Sequence, residues 1–252
     1  MAPPGAWGRS RRLRRVHSTV ASSLALGAAL LGAPCARAQA PGADRIPDTM
    51  EERVRACIGC HGVQGRGVEN VYFPRLAGKP AGYLYNQLVA FRDGRRKYLP
   101  MNYMLAYLPD AYLMKMAQHF AELDPPPLQQ PAVNRPAQQL MEGRRLVFEG
   151  VPARKIPACV HCHGQGLAGR EPGIPGLLGL RADYVSAQLG AWRYGLRTAV
   201  APDCMQVIAS SLTEPEVAAV SAWLASLPVD PGVRPAKESG AKLPMACGSQ
   251  GR

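Results

Sequence analysis

The sequence has no apolar run long enough to cross a bilayer. Residues 20–33 are apolar but fall short of the about 20 that a spanning helix requires. Acidic residues are missing from the first 38 positions, where six arginines lie. Arg9, Arg11, Arg12, Arg14 and Arg15 precede the short apolar stretch. Ala36-Arg37-Ala38 or Ala38-Gln39-Ala40 then offers a small-x-small cleavage site. Residues 1–40 are therefore expected to be an export signal, cleaved on the way to the periplasm, with an uncleaved anchor as the rival reading. The Arg-Arg pair matches a twin-arginine signal only loosely, and Cys35 is expected to leave with the segment. The charge is then milder than it looks. Of a formal +12, the signal contributes +6, leaving 24 basic and 18 acidic groups. That balance gives no footprint for nucleic acid, which is excluded as a partner. Peripheral contact with a membrane stays open.

Histidine is equally scarce, at five in 252 residues, so each can be given a role. His17 lies in the signal. His61 and His163 end the pentapeptides Cys57-Ile58-Gly59-Cys60-His61 and Cys159-Val160-His161-Cys162-His163. C-x-x-C-H is the attachment signature of a c-type haem. Two cysteines three apart on a helical turn reach the two vinyl edges of one porphyrin, and the next residue offers an imidazole to the iron. The pattern occurs twice, each time followed by glycine, and so predicts two covalently bound haem c groups. His161 is an x residue whose side chain faces away from the iron. His119 falls on a helical face, where packing is its expected role. Cys204 and Cys247 remain; an oxidising compartment permits a disulfide between them, with two free thiols as the alternative.

The two motifs belong to two copies of one unit. Phe73-Pro74-Arg75-Leu76-Ala77-Gly78 answers Ile174-Pro175-Gly176-Leu177-Leu178-Gly179. Tyr83, Leu84, Gln87, Leu88, Phe91, Arg92, Gly94 and Arg96 answer Tyr184, Val185, Gln188, Leu189, Trp192, Arg193, Gly195 and Arg197. The offset is 101 residues for these positions and 102 for the cysteines, a period that marks an internal duplication. Spacings of three and four among the apolar residues predict an all-α fold. Thr213-Glu214-Pro215-Glu216 reads as a capping box. The expected organisation is a first domain over residues 45–124, a proline-rich linker over 125–137 and a second domain over 138–228. An irregular tail over 229–252 either wraps or frays. Helical domains this small have thin cores, so haem must supply much of the apolar filling.

The second axial ligand separates a carrier from a catalyst, because methionine sulfur closes the iron and raises its potential. Met101 lies seven residues before Leu108, and Met205 seven before Leu212. Of nine methionines these two keep the repeat's register, and both are expected in the loop between the last two helices of their domain. Met104 is the nearest competitor to Met101, while Met114 and Met116 read as core. Beside Met205, a thiolate from Cys204 is the alternative donor. The carbonyls of Pro74 and Pro175 are placed to accept from the iron-bound imidazoles. Arg96 and Arg197 are candidates for haem propionates, with solvated surface as the alternative.

Residues 143–150, the second motif with its surroundings, Pro175, Tyr184, Gln188, Leu189 and Met205 together resemble the second domain of the cytochrome c4 family. The stretch from Cys57 to Met101 is similar to the first domain. The resemblance spans residues 45 to 228 and implies two tandem class I cytochrome c domains with His/Met ligation at His61, Met101, His163 and Met205. It also implies one-electron transfer among redox partner proteins: membrane respiratory complexes, periplasmic dehydrogenases and a terminal oxidase. His119 stands where an aromatic is usual, the first opening helix lacks a glycine, and Cys204 and the tail are extra. Two other readings remain. One is a cytochrome subunit tethered to a dehydrogenase. The other is a diheme enzyme, either a peroxidase or a thiosulfate-oxidising cytochrome.

Overall fold

A computed structural model describes residues 47–70, 72–128, 131–237 and 242–250, which belong to one compact unit. The export signal, Cys35 and His17 lie outside the described residues. The fold is all-α. The first half contains α1 (Met50–Arg53), α2 (Arg55–His61), α3 (Ala81–Arg92), α4 (Leu99–Leu105) and α5 (Asp110–Glu122). The second contains α6 (Ala137–Phe148), α7 (Cys159–His163), α8 (Ala182–Arg193), α9 (Cys204–Ser211) and α10 (Glu214–Ser226). A two-residue antiparallel pair, β1 (Gly169–Arg170) and β2 (Ile174–Pro175), closes the loop behind the second motif.

Local chemistry sets these boundaries. Pro80 and Pro136 precede α3 and α6, where a missing amide proton costs nothing because the first turn leaves its amides unpaired. Thr213 and Glu216 form the capping box of α10: the Thr213 hydroxyl accepts from the Glu216 amide, and the Glu216 carboxylate accepts from the Thr213 amide at 2.8 Å. Between Asp124 and Pro136 the described residues make no helix, as the prolines dictate.

Each half buries its own apolar cluster. α3 and α5 enclose Leu84, Val89, Phe91, Leu113, Met116 and Phe120, with Leu105 from α4. α6, α8 and α10 enclose Leu146, Val147, Val185, Leu189, Val220 and Leu224. α6 and α10 approach closely because Gly143 has no side chain; a Cβ there would stand 2.2 Å from the Ala219 carbonyl oxygen. The first half, without that glycine, opens with the four-residue α1 against α5.

The tail wraps. Arg234 pairs with Asp124 at the end of the first half, and Ala236 exchanges backbone hydrogen bonds with Gly169 and Glu171. Residues 243–249 then return to the second half through a disulfide between Cys204 and Cys247.

Candidate functional site

Both haem motifs occupy short helices whose last residue is the histidine. The following glycines, Gly62 and Gly164, have φ of 74° and 84°, a left-handed turn that glycine makes without strain. This turn swings the chain so that a later proline carbonyl meets the imidazole. His61 Nδ1 donates to the Pro74 carbonyl at 2.9 Å, and His163 Nδ1 to the Pro175 carbonyl at 2.8 Å. The proton on Nδ1 leaves Nε2 as the free lone pair, the tautomer that a metal-bound histidine uses. Each ring is only 7% exposed. Burial holds both imidazoles below their ordinary pKa and so in the neutral, ligating form. Burial likewise pushes the Cys57 thiol up and the Cys159 thiol up to about 11.

In the second half, Cys159, Cys162, His163 and Met205 line one cavity of about 1470 Å³, its open mouth included. Pro175, Leu189, Trp192, Leu212 and Leu224 supply its apolar wall. In the first half, Cys57 and Met101 pack at the edge of the apolar cluster around Leu84 and Phe120. Phe73 stands edge-on to His61 with ring centroids 6.3 Å apart, and edge-on to Tyr98 at 6.4 Å. Tyr98 is the residue from which α4 begins.

One expectation needs correction, and two rival readings fall away. Met101 and Met205 are not in loops: they lie in the first turns of α4 and α9, short helices set by the local sequence. Tyr98 and Pro100 open α4, while the Asp203 carboxylate caps α9 by accepting from the Gln206 amide at 3.0 Å. Cys204 is no thiolate, because its sulfur is bonded to Cys247. Arg197 is not solvated surface either, being 4% exposed. Met104 is 47% exposed, whereas Met101 packs on the core; Met116 is core. His161 points to solvent, and His119, half-buried, lies edge-on to Phe120.

Sequence reasoning missed the way the halves cross. Arg96 donates to Gln87 of its own half at 3.1 Å, and to Tyr184 and Gln188 of the other at 3.0 and 2.8 Å. Arg197 mirrors it, donating to Gln188 at 2.8 Å, Gln87 at 2.6 Å and Tyr83 at 3.3 Å. The repeat had matched all these positions, yet intra-domain register alone could not show that partners exchange. Neither guanidinium has an ion pair with a carboxylate among the described residues. Burial, and then the Arg96 charge, hold Arg197 below its ordinary pKa. Burial alone would raise the Tyr83 phenol, but the cations of Arg197, Arg96 and Lys79 bring it down to about 8. The Trp192 indole N–H, buried on the wall of the second cavity, has no hydrogen-bond partner. Buried cations and orphaned donors are costly unless an anion meets them. A group that brings carboxylates into this cavity satisfies both, and haem carries two propionates. The residues fit the cofactor. Also missed was Met245, which lines the second cavity with Leu243 and Ser249. Its closeness to Cys247, opposite Cys204, was the available signal.

The cytochrome c family profile matches residues 52–126. Cytochrome c4 of Pseudomonas aeruginosa is 34% identical over 182 residues, covering 70% of this chain and 86% of that protein. The chain belongs to the cytochrome c4 family. The solved structure of cytochrome c4 from Acidithiobacillus ferrooxidans superposes with a TM-score of 0.58 at 31% identity, covering 69% of this chain and 99% of that one. A thiosulfate dehydrogenase electron acceptor from Thiomonas intermedia is 36% identical over 206 residues, 82% of this chain and 89% of that protein. This cytochrome is thus a diheme electron carrier of tandem class I domains with covalently bound haem c. No helix among its described residues is long and apolar enough to cross a membrane.

Proposed function

We propose that this chain is a periplasmic one-electron carrier that takes electrons from a thiosulfate dehydrogenase and delivers them towards a terminal oxidase. The observation that carries the site is the single cavity lined by Cys159, Cys162, His163 and Met205. In this reading Cys57, Cys60, His61 and Met101 would hold the first haem, and Cys159, Cys162, His163 and Met205 the second. Bound haem supplies the reversible iron couple. The protein's residues set how it behaves. The neutral imidazoles of His61 and His163, steadied by Pro74 and Pro175, would offer Nε2 to the iron. The thioether sulfurs of Met101 and Met205 would complete the ligand set, which would raise the potential and keep peroxide or oxygen from the iron. Arg96, Arg197, Tyr83 and Trp192 offer positive charge and donors to carboxylates. Arg96 and Arg197 reach across the halves, so a propionate held by either would lie beside residues of both.

The donor assignment draws on the Thiomonas relative, whose alignment spans nearly its full length. An oxidation that releases electrons in pairs suits a chain with two one-electron acceptors. Against an enzyme of its own stands Cys204, the only residue that hinted at an unusual ligand and now part of a disulfide.

The test mixes the purified oxidised holoprotein with thiosulfate, with and without catalytic amounts of a thiosulfate dehydrogenase. Both haems are expected to reduce when the dehydrogenase is present and to stay oxidised with thiosulfate alone. Rapid reduction by thiosulfate alone would mark the chain as the enzyme itself. Failure to reduce with the dehydrogenase would remove it as the donor.

A further inference from the structure

The two methionine helices are anchored by different devices. In the first half, Asn102 follows Met101 directly. Its side chain accepts from the Tyr98 amide at 2.9 Å and donates to the carbonyls of Phe91 and Arg96, the latter at 2.8 Å. These bonds tie α4 to the end of α3. In the second half the corresponding residue is Gln206, which is exposed. There Asp203 caps α9 and accepts from the Ala199 amide at 2.6 Å, and no side chain next to Met205 reaches back to α8. What stands in that place is the bond from Cys204, one residue before Met205, to Cys247.

The segment around Cys247 is itself fastened on several sides. The Gly248 amide donates to the Pro202 carbonyl at 2.9 Å. A Cβ on Gly248 would stand 2.2 Å from the Ala201 carbonyl oxygen, so the backbones touch. The Ser249 carbonyl accepts from Asn86 of the first half at 2.8 Å, and the Gln250 amide group donates to the Glu171 carbonyl at 3.2 Å. Leu243, Met245, Cys247 and Ser249 all line the second haem cavity.

We propose that residues 242–250 are a strap, tied by the Cys204–Cys247 disulfide, that positions Met205 on the second haem. It does for that half what Asn102 does for the first. The inference rests on the His/Met reading of the second site. Thioether is a weak ligand held largely by the geometry around it, so a loosened α9 lets Met205 leave the iron while His163 and the thioether bonds keep the haem in place. Met245 is part of the strap's apolar wall, and it moves with it.

The test uses two strap variants of the holoprotein: C204S/C247S, and C204S in a chain ending at Lys242. Replacing both cysteines prevents a freed Cys204 thiolate from taking the vacated position. The readouts are the far-red methionine–iron charge-transfer band of the oxidised protein and carbon monoxide binding by the reduced protein. Both variants are expected to lose about half of the band and to rise from no carbon monoxide per chain to one. The surviving half, from Met101, reports that the fold is intact. N102A is expected to give the same half loss from the first haem instead. Variants that keep the whole band and bind no carbon monoxide overturn the proposal. Should the truncated chain fail to fold, C204S/C247S decides alone by the same readouts. A wild-type protein that lacks one of the two bands defeats the His/Met reading itself, so the two failures are told apart.

Discussion

C159A/C162A is expected to leave a chain with one covalent haem instead of two, measured by intact mass and by haem per polypeptide. The two cysteines sit on α7, a single turn that buries Val160 and His163. Without the thioether bonds, retention of the second haem depends on one imidazole, one methionine and apolar contact. The loss does not stop at the cofactor. Leu189, Leu212, Val220 and Leu224 wall an open cavity of about 1470 Å³, its mouth included, that Tyr83 and Gln87 of the first half also line. Left without its filler, that wall loses its partner atoms on one side, the condition that makes core cavities expensive. Cooperative thermal unfolding of the second half is therefore expected to fall well below that of the first. The corresponding pair C57A/C60A is expected to remove the other haem. A chain that keeps two covalent haems after either double substitution contradicts the assignment.

M205A is expected to open the second iron without removing it. Half of the methionine–iron band disappears, the reduced protein binds one carbon monoxide, and the potential of that haem drops by at least about 59 mV, a tenfold change for one electron. M101A is expected to do the same at the first haem. M104A is expected to change none of these, because Met104 is turned out to solvent and does not pack on the core. Spectroelectrochemistry of the three variants checks the set. A normal band in M205A would hand the ligand role to Met245, which lines the same cavity.

Much of this account is legible in the sequence because its decisive features are local or repeated. C-x-x-C-H needs five consecutive residues, and the turn after it needs one glycine. Tyr83 to Phe91 and Tyr184 to Trp192 carry their helical period openly, and the duplication allows each half to be read against the other. Register singled out Met101 and Met205, the ligands proposed here, but misjudged their surroundings. A loop was expected from the prolines and polar residues nearby, whereas Tyr98-Leu99-Pro100 and the Asp203 cap start short helices there. What the sequence hid is long-range. Arg96 reaches residues 88 and 92 positions away, and Asn86 meets Ser249 across 163. No periodicity encodes such pairings. They follow from how two similar surfaces pack, and so does the burial of Arg197, a residue whose type alone argues for solvent.

Ligation of both irons by methionine, as proposed, is what would separate a carrier from a catalyst. The most direct measurement is the absorption spectrum of the purified holoprotein, oxidised and then reduced under carbon monoxide. Two methionine-bound irons are expected to give a far-red methionine–iron band with the intensity of two haems, and no spectral change with carbon monoxide. A band worth one haem, or binding of one carbon monoxide per chain, contradicts it.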